Sequence, residues 1–176
     1  DPAYNGISIS DVLVEVTDND APGVQIKESG GSTSVMEEGA TSDTYTIELL
    51  RAPAATVTIT VDPDDDSDLG AGAGTAIPRD FTVVNWNIAR QVNVTAVDDA
   101  ESEGAHTSTI THVAASSDAD YNGIAIVDVV ASVADNDAAG VSVSQSGGST
   151  GVDEAGPTND TYTIVLDSQP SADVVI

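Results

Sequence analysis

Acidic side chains gather in a few short segments of this sequence, at the ends of stretches rich in Val, Ile and Thr. They are Glu37, Asp80, Asp98, Asp99, Glu103, Asp135 and Asp137. Carboxylate oxygens are the ligands of calcium, which takes about six to eight of them and tolerates irregular geometry. Seven carboxylates in one place carry more charge than one divalent ion neutralises. The pattern therefore predicts two or more calcium ions, provided that the fold brings these segments together.

A second interpretation stays open for the same acids. They could be ordinary solvated loop charges of a salt-tolerant protein, and the acidity of the whole chain fits that interpretation. The close spacing of Asp98-Asp99 and of Asp135-Asn136-Asp137 favours a metal site, because adjacent carboxylates repel each other unless a cation lies between them.

The overall charge restricts the possible partners. The chain of 176 residues has 30 acidic and 4 basic residues, a formal net charge of −26. Such a charge repels nucleic acid and anionic lipid and attracts divalent cations. No cysteine is present, so disulfides and thiolate metal sites are excluded, and no apolar run is long enough to span a membrane. We expect calcium as a partner, without nucleic acid and without membrane insertion.

The sequence repeats itself with an offset of 117 residues. Residues 1–59 align without a gap to residues 118–176, and 34 of these 59 positions are identical. This predicts the end of one repeat at residues 1–20, a complete repeat at 21–137 and the start of another at 138–176. Two or three strands cannot form a stable unit alone, so we expect the chain to be a segment of a longer tandem array.

Alternation with a period of two dominates the repeat, and no helical period is found. It predicts seven strands, at residues 24–27, 44–49, 56–61, 80–83, 91–97, 107–113 and 124–133. Seven short strands separated by Gly, Pro, Asp and Ser predict an all-β fold, an immunoglobulin-like seven-stranded sandwich.

The order of these strands places the acids. If successive strands run antiparallel, loops separated by an even number of strands project from the same end of the sandwich. The segments at Glu37, at Asp98-Asp99 and at 135–137 follow predicted strands one, five and seven. Asp80 would enter strand four from the loop after strand three. We therefore expect all of them at one pole.

The repeat resembles the Calx-β domain, a module of sodium–calcium exchangers, integrin β4 and many bacterial surface proteins. The resemblance covers residues 21–137 and both partial repeats. It rests on Glu37-Glu38-Gly39, Asp80-Phe81-Thr82, the Val94–Asp99 segment, Glu103-Gly104, and the segment that ends in Asp135-Asn136-Asp137.

The resemblance implies a calcium site made from several loops. Its metal ligands would be Glu37, Asp80, Asp98, Asp99 and Glu103, closed from the exit linker by Asp135, Asn136 and Asp137. Two positions depart from the family pattern: His106 replaces a second acid, and Asn136 interrupts a run of aspartates. Both reduce the negative charge, so the affinity would suit millimolar extracellular calcium.

Three other motifs carry less information. The acidic stretch 62–68 fails as an EF-hand, because Ser67 and Ala73 stand where glycine and glutamate are required, although a weaker auxiliary ion site there stays open. His106 and His112 are too far apart on one predicted strand to chelate an ion together, and we prefer packing in the core or at its edge to metal binding for both. Trp86 is either a sugar-stacking aromatic or, as we prefer, a plug at the sandwich edge.

These patterns predict a structural repeat of a secreted or cell-surface bacterial protein, such as an adhesin stalk, a surface-layer component or a filament. Calcium at each junction would fix the angle between successive repeats, and neighbouring repeats or other copies in a lattice would be the partners. The alternative is a module that binds a glycan or another cell. A cytosolic calcium sensor is less compatible with a tandem array, and no arrangement of an enzyme active site is found.

Overall fold

In a computed structural model of the chain, residues 1–17, 19–39, 41–156 and 158–176 are described. Eleven strands lie in these ranges: β1 Val24–Glu28, β2 Thr33–Met36, β3 Ser42–Leu49, β4 Val57–Pro63, β5 Ser67–Asp68, β6 Ile77–Phe81, β7 Arg90–Ala96, β8 His106–Ser116, β9 Val129–Ala134, β10 Val141–Gln145 and β11 Tyr162–Leu166. The only helical elements among the described residues are three single turns of 3₁₀ helix, and none is long or apolar enough to cross a membrane.

Nine of the strands form a sandwich of two sheets. The first sheet has the order β1-β3-β7-β5, and the second has the order β2-β9-β8-β4-β6. The prediction of an all-β sandwich is thus confirmed. Within residues 21–137 the sequence predicted seven strands, and the structure has β2 and β5 in addition. Both are too short, at four and two residues, to give a clear alternating pattern.

The core lies between the two sheets and consists mainly of Val and Ile. Strand β4 shows how the sequence builds it: Val57, Ile59 and Val61 are fully buried, whereas Thr60, between Ile59 and Val61, and Asp62, after Val61, are exposed. Phe81, Tyr45 and Tyr121 are the large buried rings. Trp86 is half-buried and packs against this core, as expected for a plug at the edge of the sandwich.

The two flanking segments have few contacts of their own. Residues 1–17 form one 3₁₀ turn and no strand among the residues described, and Ile9, Val12 and Leu13 are almost fully exposed. Strands β10 and β11 pair in the register of β1 and β3, with Val141 opposite Leu166 as Val24 is opposite Leu49. The boundaries of the repeats remain a prediction from the sequence.

Candidate metal centre

Parallel pairing of β2 with β9 creates one acidic end of the sandwich. Met36 lies opposite Ala134 at the ends of these strands, and the Glu37 N–H donates to the Ala134 carbonyl at 3.1 Å. The next residues, Glu37 and Asp135, therefore leave the sheet side by side. Strand β8 starts at the same end, since His106 lies opposite Val133.

Glu37 is a buried carboxylate. It continues the inner face of β2, on which Thr33 and Val35 are each 1% exposed, and it is itself 4% exposed. Burial raises the pKa of Glu37 above its ordinary value, and the negative charge of Asp135 acts in the same direction. Its Oε2 atom has no hydrogen-bond partner among the described residues. Such a carboxylate needs either a proton or a cation.

Two groups of possible ligands share Glu37. In one, the carboxylates of Glu37, Asp135 and Asp137 have oxygen atoms within 4.8 Å of one another; in the other, Glu37, Glu103 and His106 offer ligand atoms within the same distance. The first group consists of oxygen donors only, which suits calcium. The second includes an imidazole, a ligand more typical of transition metals.

Asp135 also organises the loop around the site. Its Oδ2 accepts hydrogen bonds from the N–H groups of Glu103 at 2.8 Å and Gly104 at 2.6 Å, and its Oδ1 accepts from the Asp137 N–H at 2.7 Å. These bonds, the one from Asp137 first, lower the pKa of Asp135. Asp135 is therefore ionised at neutral pH and fixes the positions of Glu103 and Asp137.

Asn136 contributes through its backbone. Its N–H donates to the Glu37 carboxylate and opposes the effect of burial on the pKa of Glu37. The Asn136 side chain is exposed. Asparagine instead of aspartate at position 136 is thus compatible with the site, because the backbone of the residue provides the contact to Glu37.

His106 was not expected in the site, and the structure places it there. Its Nδ1 lies 3.0 Å from the Gly104 carbonyl oxygen, and its Nε2 lies 3.7 Å from a Glu103 carboxylate oxygen and 4.0 Å from one of Glu37. The Gly104 carbonyl and then the Glu103 charge raise the pKa of His106. The sequence contained one signal for this, since His106 stands where the resembled family has an acid.

Asp98 and Asp99 lie at the same end but outside both groups of ligands. They follow β7, whose last residues pair with the start of β3, and both are exposed. The Asp99 charge raises the pKa of Glu37, so Asp99 is close to it. Its Oδ1 accepts the Glu101 N–H at 2.7 Å, which shapes the loop that leads to Glu103.

The expectation that Asp80 joins this pole is wrong. Strand β6 begins at Ile77, three residues earlier than predicted, so that Asp80 lies near the end of the strand. It is opposite Thr58, which is opposite Ala115 near the far end of β8. His106 begins β8 at the acidic pole, so the length of that strand separates Asp80 from the site. The Asp80 carboxylate accepts the Thr58 hydroxyl at 2.7 Å.

Carboxylates of the acidic stretch 62–68 mainly accept hydrogen bonds from nearby backbone N–H and hydroxyl groups. Asp64 accepts hydrogen bonds from the Ser108 hydroxyl and, at 2.6 Å, from the Thr109 N–H. Asp68 accepts from the N–H groups of Gly70, Ala71 and Gly72 at 2.7 to 3.1 Å. The described residues of this stretch belong to neither ligand group. Asp66 does raise the pKa of His106 and so lies near the acidic pole, which the sequence did not indicate.

Comparisons with known proteins give a fold-level likeness. No protein-family model and no curated protein matches the sequence. Among solved structures, the apo form of the Calx CBD1 domain is similar with a TM-score of 0.44 and 13% identity, covering 65% of this chain and 98% of that one. The calcium binding domain CBD12 of CALX1.1 is similar with a TM-score of 0.44 and 14% identity, covering 68% of this chain and 50% of that one.

Proposed function

We propose that residues 21–137 form a calcium-binding sandwich whose metal site stiffens the junction to the following repeat of an extracellular or cell-surface protein. One observation carries this proposal: Glu37 is 4% exposed and has an unpartnered oxygen beside the Asp135 and Asp137 carboxylates. A buried carboxylate facing two others is unfavourable without a counter-charge. Calcium supplies that charge and prefers oxygen ligands.

The number of carboxylates supports more than one ion. Glu37, Glu103, Asp135 and Asp137 carry four negative charges in the two ligand groups. One calcium ion leaves two of these charges uncompensated. Asp98 and Asp99 add two more at the same end of the sandwich. Both side chains are exposed, and the second oxygen of Asp99 is available to an ion beside the one that accepts the Glu101 N–H.

The position of the site supports a role at the junction. Asp135 and Asp137 lie directly between β9 and β10, and the Ser102 hydroxyl donates to the Asp137 carbonyl at 3.2 Å. On the far side, the Gln169 N–H donates to the Ala100 carbonyl at 2.6 Å and its side-chain amide to Glu101 at 2.9 Å. The loop that carries Glu103 therefore contacts both the linker and the segment beyond it.

The proposed location rests on the chemistry of the whole chain. Calcium competes with protons and magnesium for the carboxylates of Asp135 and Glu37, and a site made from loops suits calcium where calcium is abundant, as it is outside cells. The absence of cysteine fits a protein stabilised by metal instead of by disulfides. Binding of a glycan or of another cell is the alternative from the sequence. Within residues 21–137 no observation favours it, because Tyr45 and Tyr121 are buried and Trp86 packs on the core; the exposed tyrosines, Tyr4 and Tyr162, lie outside this repeat.

Calorimetric titration with calcium tests the proposal. We expect the parent chain to bind calcium and Glu37→Gln to lose at least the site that contains Glu37. Glu38→Gln is the matched control, because Glu38 has the same charge, is exposed and belongs to neither ligand group. Absence of calcium binding by the parent at millimolar concentration, or equal binding by Glu37→Gln and Glu38→Gln, contradicts the proposal. Titration with zinc separately tests the group that includes His106.

A further inference from the structure

The imidazole of His106 faces two carboxylates at the acidic end of the sandwich. His106 is the first residue of β8, and its Nε2 lies 3.7 Å from Oε2 of Glu103 and 4.0 Å from Oε1 of Glu37. Both distances are too long for a hydrogen bond. Two ligand atoms on one tetrahedral zinc ion, each about 2.0 to 2.2 Å from the metal, are ~3.4 Å apart. A small inward movement of these side chains is therefore enough to enclose an ion.

A backbone contact determines which nitrogen of His106 presents its lone pair to the carboxylates. Nδ1 lies 3.0 Å from the Gly104 carbonyl oxygen. A carbonyl oxygen only accepts hydrogen bonds, so Nδ1 is the nitrogen that carries the proton. In the neutral ring, Nε2 then has the free lone pair and points toward Glu37 and Glu103. Histidines that bind metals commonly donate their second N–H to a carbonyl in this way, which fixes the ring for ligation.

Glu37 provides a second observation that is independent of the histidine. Its side chain is 4% exposed, and its Oε2 has no hydrogen-bond partner among the described residues. A buried carboxylate in this condition needs a positive charge close to it. A protonated His106 would bring one, but Nε2 is beyond hydrogen-bond distance of Glu37 and of Glu103. A metal ion bound to all three side chains satisfies the carboxylate and uses the lone pair of Nε2.

The types of these ligands indicate which metal they bind. Calcium prefers oxygen ligands throughout, whereas a set of one imidazole and two carboxylates suits zinc and other divalent transition metals. The chain has two histidines and no cysteine. The other histidine, His112, contacts the Tyr45 hydroxyl in the core. His106 is therefore the histidine that is placed to give a surface metal site a nitrogen ligand.

We propose that Glu37, Glu103 and His106 form a zinc site next to the calcium ligands. Glu37 directly follows β2, Glu103 lies in the loop after β7, and His106 begins β8, so the ion would tie that loop to two strands of the second sheet. The same loop contacts the exit linker, because the Ser102 hydroxyl donates to the Asp137 carbonyl. Glu37 also belongs to the calcium group, but zinc binding does not require that calcium binds.

Calorimetric titration of the full chain with zinc chloride in calcium-free buffer tests the site. We expect His106→Gln to bind zinc at least about tenfold more weakly than the parent, since even the outer partners of metal ligands change affinity by that factor. Glu38→Gln is the matched control for diffuse attraction to an acidic chain, because Glu38 is exposed and belongs to neither ligand group. Its zinc affinity should stay within about twofold of the parent.

Two further measurements identify the ligand atom and the metal preference. In long-range ¹H–¹⁵N NMR spectra, saturating zinc should shift the Nε2 resonance of His106 and leave the resonances of His112 in place. His106→Asp replaces the nitrogen ligand by a carboxylate. This variant should bind zinc about tenfold more weakly and calcium no more weakly than the parent, because calcium accepts a carboxylate oxygen.

Equal zinc affinity in the parent and in His106→Gln would overturn the proposal, because the attraction would then be that of an acidic surface. Unchanged His106 resonances in zinc would overturn it as well. Thermal melts show whether each variant keeps its fold, and His106→Asp gives a second variant at the same position. Zinc binding through His106 without calcium binding would contradict the function proposed above and support the zinc site, and calcium binding without zinc binding would do the reverse.

Discussion

The Tyr45 hydroxyl lies 2.9 Å from Nε2 of His112, and the two rings meet edge to face with their centroids 5.6 Å apart. Tyr45 belongs to β3 and His112 to β8, so this hydrogen bond joins the two sheets across the core. Both side chains are buried, at 1% and 7% exposure. The pair is a buried polar contact between the two sheets, as is the hydrogen bond between the Ser67 and Ser108 hydroxyls, and it makes the stability of the sandwich depend on pH.

Acid should destabilise the sandwich through His112. Burial lowers the pKa of His112 below its ordinary 6.5, so the folded state binds this proton less readily than the unfolded state. The contribution of His112 is fully present above about pH 6.5 and is lost as the pH falls below that value. Urea denaturation at saturating calcium should show a smaller loss of unfolding free energy between pH 7.5 and pH 5.5 in His112→Gln than in the parent. An equal loss in both proteins would show that His112 does not titrate in this range.

Removal of the Tyr45 hydroxyl should cost about 1 kcal/mol of unfolding free energy in Tyr45→Phe, the net contribution of a buried hydrogen bond. His112→Gln should cost a similar amount, and the double variant should cost less than the sum, because both changes remove the same contact. A double-mutant cycle at pH 7.5 measures this coupling. Strict additivity would mean that the hydrogen bond contributes nothing to stability.

Calcium should stabilise the fold by mass action. At a free concentration of one hundred times Kd, binding to the folded state alone adds about 2.7 kcal/mol, so chelation should lower the Tm and added calcium should restore it. Magnesium should restore it poorly, because it requires a smaller octahedral site. An unchanged Tm in excess chelator would contradict the metal site.

Asp135 and Asp80 should differ sharply in their effect on calcium affinity. Asp135→Asn removes a charge from the ligand group and weakens the anchor of the Glu103 loop, and we expect an affinity loss of about tenfold or more. Asp80→Asn removes the same charge at the far end of the sheet, and its affinity should match that of the parent. Calorimetry on both variants checks this. An equal loss of calcium affinity in the two variants would show that Asp80 belongs to the site.

The junction should loosen when its ligands are removed. Asp135→Ala/Asp137→Ala should leave the sandwich folded and change the scattering profile of the chain in calcium, because the linker between β9 and β10 loses its metal. Gln169→Ala removes the side-chain hydrogen bond to Glu101 and keeps the backbone hydrogen bond to Ala100, and it should leave calcium affinity unchanged. If the double alanine variant scatters in calcium as the parent does, the stiffening role fails.

Much of this protein follows from local sequence pattern. The alternation in segments such as β4 determines which side chains are buried, because successive residues of a strand point to opposite faces. The 117-residue repeat and the types of the acids are visible without a structure. They were sufficient to predict an all-β sandwich with carboxylates at its end, and Glu37 and Asp135 among the ligand candidates.

Only the tertiary structure determined which of those acids meet. Parallel pairing of β2 with β9 joins residues almost one hundred positions apart and places Glu37 beside Asp135, and no local pattern specifies such a pairing. The three-residue shift in the start of β6 moves Asp80 to the opposite end, because register along a strand decides at which pole a residue lies. His106 enters the site for the same reason: its position opposite Val133 depends on the partner strand. Sequence specifies which residue faces inward, and the pairing of distant strands specifies its neighbours.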